Sequence, residues 1–199
     1  MSTHPENPTE NRLPGPQPEP GSTPDRILSA THELAVKEGF SGLSLEKVAQ
    51  RAGVSRLTVY YHFGSKAQLL EALMERMAAR GQIHRLEDVF REPDARVALD
   101  RFIEVFCHFW ATDRVGRRRM RAWQRLHKPV DAERESWRRH GVETLLNRLG
   151  KSSPDLVDLL FTLTGFETFD TLAGEARDAG AVAELISRTA HAVLGLSDG

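Results

Sequence analysis

Apolar residues recur along this chain at intervals of three and four, the period of helices that turn one face to a core. Ile27, Leu28, Thr31, Leu34 and Ala35 form the first such stripe, opened by Pro24 and Asp25 and closed by Gly39. Leu45, Val48 and Ala49 follow Ser44, a predicted N-cap, and Gly53 breaks the pattern. Ser55 caps a second short helix running to about Phe63, and Gly64-Ser65 breaks and caps again ahead of Lys66. Leu69, Leu70, Leu73, Met74 and Met77 then mark a fourth helix, expected to pack on both domains, while Phe40 and Leu43 fill a three-helix core. Further on, Pro93-Asp94 opens a helix that Val97, Leu99, Phe102, Ile103, Val105, Phe106, Phe109 and Trp110 nearly encircle. Pro129-Val130-Asp131 opens another, carrying Trp137, Val142, Leu145, Leu146 and Leu149 and ended by Gly150. The run from Pro154 to Leu172 is apolar on more than one face, and Val182, Leu185, Ile186, Val193 and Leu194 form a last stripe. The predicted fold is all-α: a three-helix N-terminal helix-turn-helix domain, then a helical C-terminal domain.

Two short helices joined by a tight glycine turn make a helix-turn-helix, whose second helix is shaped to enter a DNA major groove. At roughly 100° per residue, Val59 and Phe63 point to the core, while Leu57 and Tyr61 face away with Thr58 beside them. A leucine and a tyrosine turned from the core are explained by a partner surface. Leu57 suits a thymine methyl, Thr58 a base edge, and Arg56 a guanine or a phosphate. Tyr60, Tyr61, His62 and Lys66 suit the DNA backbone, Lys66 from the first turn of its helix. An ordinary helical hairpin with two half-buried aromatics is the plainer reading of the same spacing.

Gly53-Val54-Ser55, Thr58-Val59-Tyr60, His62-Phe63, Ser65-Lys66 and Leu69-Leu70 together resemble the DNA-binding domain of TetR-type transcriptional regulators. Arg26-Ile27-Leu28 through Ala35 to Glu38-Gly39-Phe40 is similar to that domain's first helix, and the likeness covers about Pro24 to Met77. The resemblance implies an all-α dimer, a small-molecule pocket in the second domain, and no catalysis. It assigns base or groove contacts to Arg56, Leu57, Thr58 and Tyr61. Phosphate contacts go to Tyr60, His62 and Lys66, and on the preceding helix to Ser44 and Lys47. Leu57 departs from the family, where small residues or proline are common, so the base preference there does not carry over.

The expected domains are a proline-rich disordered tail over 1–21, the DNA-binding domain over 22–81, and an effector-binding and dimerisation domain over 82–199. Six prolines between Pro5 and Pro20 forbid a regular helix in the tail, and its acids (Glu6, Glu10, Glu19 against Arg12) argue against a DNA arm. With 40% hydrophobic and 28% charged residues the composition is that of a soluble protein, and the formal net charge of −1 gives no general attraction to nucleic acid. DNA affinity has to come from local basic residues and two copies of the motif. A single cysteine, Cys107, excludes an internal disulfide and any multi-cysteine zinc site. No stretch has the length of a membrane span and the N-terminus lacks a signal core, so a cytoplasmic protein is expected. His84, His108, His127, His140 and His191 show no tight metal spacing. There is no phosphate-cradling glycine loop, zinc-protease motif or nucleophile elbow, and neither metal nor cofactor is predicted.

Phe102, Phe106, Phe109 and Trp110, with Trp123, Phe166 and Phe169, are candidate walls of an effector pocket, although core packing is the commoner reason for such stripes. Arg114, Arg118, Arg121 and Arg125 share one helical face, flanked by Arg117 and Arg119, with Met120, Trp123 and Leu126 as its apolar stripe. A solvated charged face is its default reading, an anion-binding wall the sharper one. The last two apolar stretches carry more apolar surface than one domain this size needs to bury. Paired with their copies they give a four-helix, two-fold interface, setting the recognition helices about one DNA turn apart on a palindromic operator. The leading reading is a homodimeric, non-enzymatic repressor, released from double-stranded operator DNA by a small-molecule effector. An effector-independent or activating regulator is the alternative within DNA binding, and a helical small-molecule carrier or enzyme the alternative outside it.

Overall fold

The computed structural model describes residues 17–124 and 132–196. The predicted tail, Arg125, Leu126 and the helix start at Pro129-Val130-Asp131 fall largely or wholly outside them. Among the described residues all regular structure is helical. In chain order the α-helices are α1 (Thr23–Glu38), α2 (Leu45–Ala52), α3 (Arg56–Phe63), α4 (Lys66–Arg80), α5 (Leu86–Arg91) and α6 (Ala95–Ala111). They continue as α7 (Arg114–Gln124), α8 (Ala132–Arg148), α9 (Pro154–Leu163), α10 (Phe166–Ala173) and α11 (Ala179–Leu194). Short 3-10 turns stand at Phe40–Gly42 and Ile83–Arg85. No described helix is long and apolar enough to cross a membrane.

The chain divides into two compact units, one of residues 17–80 with 113–124, the other of 81–112 with 132–196. The first begins where the caps place it. Ser22 Oγ accepts from Asp25 N–H and Pro24 sits in the first turn, where its missing donor costs nothing. Its core joins Ile27, Leu28 and Ala35 to Phe40, Leu43, Val48, Val59, Leu69, Leu73 and Met77, and takes in Met120 of α7. The Trp123 ring lies 6.0 Å from that of Phe40. α7 folds with the N-terminal helices. His32 on α1 meets Asp113 at 2.6 Å, and the other carboxylate oxygen accepts from Gly116 N–H at 3.0 Å. Arg76 of α4 is buried, donating to the Asp25 carbonyl at 2.9 Å and to Ser29 Oγ at 2.9 Å, with the Asp25 carboxylate 3.0 Å away.

In the second unit α6 buries Leu99, Phe102, Ile103, Phe106 and Trp110, and leaves Val97, Arg101, Glu104 and His108 exposed. That gap in the apolar ring is one helix face. α11 packs along α6 through Val182, Ala183, Ile186, Ala190 and Leu194, while Val193 stays exposed. Gly141 of α8 lets the Phe102 ring approach: a Cβ there would stand 2.9 Å from it. The apolar run from Pro154 to Leu172 is interrupted at Thr164 and Gly165, giving α9 and α10 rather than one helix. Two long side chains define the break. Trp110 Nε1 donates to the Thr164 carbonyl at 2.9 Å, and Arg138 Nη1 donates to Phe161 O at 2.5 Å and Thr164 Oγ1 at 2.9 Å.

Candidate nucleic-acid interface

Local chemistry sets the turn between α2 and α3. Ser44 Oγ caps α2 by accepting from Lys47 N–H, and Gly53 ends it with φ 66°, a left-handed conformation that costs glycine no Cβ clash. Ser55 Oγ caps α3 by accepting from Thr58 N–H at 3.0 Å, and Gly64 closes it, also at positive φ. With both ends fixed, the helix has one rotational setting: Val59 is 0% exposed in the core, and Phe63 packs half-buried against the same cluster. On the far side Leu57 is 75% exposed and Tyr61 83%, with Tyr60 61% exposed beside them. Arg56 and His62 are exposed, and the Tyr61 ring meets the His62 imidazole edge-on at 5.3 Å. This is the orientation that helical spacing predicts.

The second of the two glycine-linked helices thus presents an outward apolar and aromatic face. Residues 27–73 match the family described as "Bacterial regulatory proteins, tetR family". Over this stretch, less than half of the chain, the protein is similar to the tetR family. It is 38% identical over 61 residues to the tetracycline repressor protein class A from transposon 1721 of Escherichia coli, a match covering 31% of this chain and 28% of that protein. To the HTH-type transcriptional regulator SrpR of Pseudomonas putida it is 40% identical over 52 residues, 26% of this chain and 24% of the relative. The chain thus spans less than a third of the length of these relatives. A TetR-like transcriptional regulator from Rhodococcus sp. RHA1 superposes with a TM-score of 0.68 at 21% identity, covering 91% of this chain and all of that one, and so shares the fold.

Within this domain the remaining candidate residues are less free than their spacing suggests. Thr58 Oγ1 lies 2.8 Å from Ser55 Oγ, so its hydroxyl is already oriented by the cap. Lys66, half-buried, donates from Nζ to Leu43 O at 2.7 Å and to Phe40 O at 3.5 Å, leaving one of three ammonium protons for a phosphate. It braces the loop that presents α2. Lys47 Nζ donates to Glu38 Oε2 at 2.8 Å, and that contact and the Lys47 charge hold the Glu38 carboxyl below its ordinary pKa. Arg51, one turn further along α2, donates from Nε to Glu33 Oε2 at 2.8 Å. Both cations of this α2 face are engaged by carboxylates of α1. Spacing alone omitted Arg51, Glu33 and Glu38. Arg51 stands at i+4 from Lys47, a legible same-face signal, whereas no periodicity carries across the Phe40–Gly42 turn to Glu38.

The seven aromatics expected to wall a pocket fall into two groups. Phe102, Phe106, Phe109, Trp110 and Phe166 are buried in the C-terminal unit as a chain of ring contacts, with Phe102–Phe106 and Phe109–Trp110 at 4.7 Å and Trp110–Phe166 at 5.7 Å. Phe169 is buried in that unit as well. Trp123 is not among them; it belongs to the N-terminal unit against Phe40, because α7 carries it there. The basic helix is also more mixed than a solvated face. Arg118 and Arg119 are exposed, Arg114 and Arg121 half-buried, and Arg117 buried. Cys107 is buried and its thiol is pushed up to about 12, chiefly by burial and then by the Glu104 charge, which keeps it protonated. Among the described residues no group of three or more His, Cys, Asp or Glu side chains is placed to hold a metal ion.

Proposed function

We propose that the chain is a homodimeric, sequence-specific DNA-binding regulator of transcription, a repressor released from its operator by a small-molecule effector. The outward pair Leu57 and Tyr61, opposite a fully buried Val59, carries this reading. Residues 22–81 supply the DNA-reading head, with α7 packed into it, and 82–199 supply dimerisation and the effector site, the six aromatics of the C-terminal unit forming its walls. Arg56, Leu57, Thr58 and Tyr61 enter the groove; Tyr60, His62, Lys66, Ser44 and Lys47 meet the backbone. Such a protein works in the cytoplasm, where its operator is. The effector acts only through its differential affinity for two conformations, one of which spaces the heads for the operator. The tetracycline repressor among its relatives is a precedent for repression. A mobility-shift experiment on the region upstream of the protein's own gene tests the reading. Retardation by wild type and its loss with Tyr61→Ala support it; no retardation of any duplex at low salt overturns it.

A further inference from the structure

The two exposed cations of α2 face α1, and each is held by an α1 carboxylate. Lys47 Nζ meets Glu38 at 2.8 Å and Arg51 Nε meets Glu33 at 2.8 Å, across a groove also lined by Leu34, Lys37 and Gln50. All four charged side chains are substantially exposed, between 39% and 58%, so neither pair is needed to neutralise a buried charge. Exposed pairs of this kind contribute little to folding. A phosphate asks of Lys47 and Arg51 the same geometry that a carboxylate does: an anionic oxygen within hydrogen-bond distance of the ammonium or guanidinium. The α1 carboxylates therefore compete with DNA phosphates for the basic groups of α2.

We infer that Glu38 and Glu33 are specificity-determining residues that occupy Lys47 and Arg51 in the free protein and so restrain sequence-independent binding to DNA. The inference rests on the DNA-reading function proposed above. Phosphate contacts supply most of the affinity for non-cognate duplex and carry no base information, so restraining them lowers random binding without touching the Leu57–Tyr61 face. A chain with a formal net charge of −1 gains discrimination this way at small cost in stability.

The test is a double-mutant cycle in the full-length protein. Binding to a random duplex and to the upstream duplex is measured by fluorescence anisotropy across a salt series for wild type, Glu38→Gln, Lys47→Ala and the double variant. Glu38→Gln is expected to tighten random-duplex binding about threefold and to steepen the salt dependence by about one counterion. In the Lys47→Ala background the same change is expected to do nothing. Equal tightening with and without Lys47 overturns the inference, because it shows only the long-range loss of a negative charge. Unchanged binding by Glu38→Gln, with wild type binding normally, overturns it too and leaves the DNA-reading function standing. A wild type that retards no duplex removes both. Glu33→Gln with Arg51→Ala is a second cycle that reads out the other pair independently, and unchanged thermal melting of each variant shows that folding is not what moved.

Discussion

At the scale of single residues, two neighbours on α3 are made to fail in different ways. Tyr61 is largely exposed, so Tyr61→Ala should leave stability within about 0.5 kcal/mol of wild type while weakening upstream-duplex binding tenfold or more. Val59 is wholly buried, so Val59→Ala should cost about 2 kcal/mol of stability and weaken DNA binding only as the helix loosens. Thermal melts paired with anisotropy separate the two; equal loss of stability in both variants would contradict the outward setting of the helix. Lys66 stands between these cases. Two of its protons serve the carbonyls of Leu43 and Phe40, so Lys66→Ala should lower stability by about 1 kcal/mol and weaken every duplex alike. A change in base preference in that variant would move Lys66 from the backbone to the groove. The outward face was legible in the sequence because Val59 and Phe63, one turn apart, mark the buried side of a helix whose ends Ser55 and Gly64 fix. The engagement of Lys66, Lys47 and Arg51 was not, since their partners Leu43, Glu38 and Glu33 lie 23, 9 and 18 residues away in sequence.

At the scale of elements, caps and glycines announced most boundaries, and tertiary contacts decided the others. Ser22, Ser44, Ser55, Asp94, Ser153 and Asp178 all accept from the first turn of the helix they precede. The break between α9 and α10 has only Gly165 as a local mark, and a lone glycine inside an apolar run is a weak signal. What defines it is distant: Trp110 and Arg138 take the Thr164 and Phe161 oxygens that a continuous helix would have kept. Likewise the stripe Met120–Trp123 declared α7 amphipathic but not which core it would cover. Asp113, at the start of α7, is part of what places it. Burial pushes its carboxyl up, but the hydrogen bonds from His32 and Gly116 and the charges of His32 and Arg117 outweigh that and hold it below its ordinary value. A carboxyl lowered on folding contributes stability that is fully present above its unfolded pKa, near 4, and is lost as pH falls through the lower folded value. Asp113→Asn should therefore flatten the acid limb of a melting-temperature profile below about pH 4 and lower the plateau above it. An acid limb that keeps its wild-type slope would show that the α1–α7 tie contributes nothing to the pH dependence.

At the scale of the molecule, the regulator proposed above asks for a second copy, since two linked heads hold two half-sites far more tightly than one head holds one. The exposed apolar residues outside α3 include Leu159 on α9 and Val193 on α11, 38% and 44% exposed in the isolated protomer. A two-fold interface brings each surface patch against the same patch of its partner, so a charge placed there meets its own copy as well as an apolar wall. Leu159→Glu or Val193→Glu should accordingly weaken dimerisation by a hundredfold or more, a penalty of about 3 kcal/mol for burying a charge without a partner. Sedimentation equilibrium reads the monomer directly. Because the substitutions lie outside the DNA-reading unit, its fold should persist. Operator affinity should nevertheless fall towards the random-duplex level, since two half-sites about one helical turn apart are read only by two linked heads. Loss of dimer with operator affinity intact would mean that one head suffices, and a dimer untouched by either glutamate would move the interface to another face of the C-terminal unit.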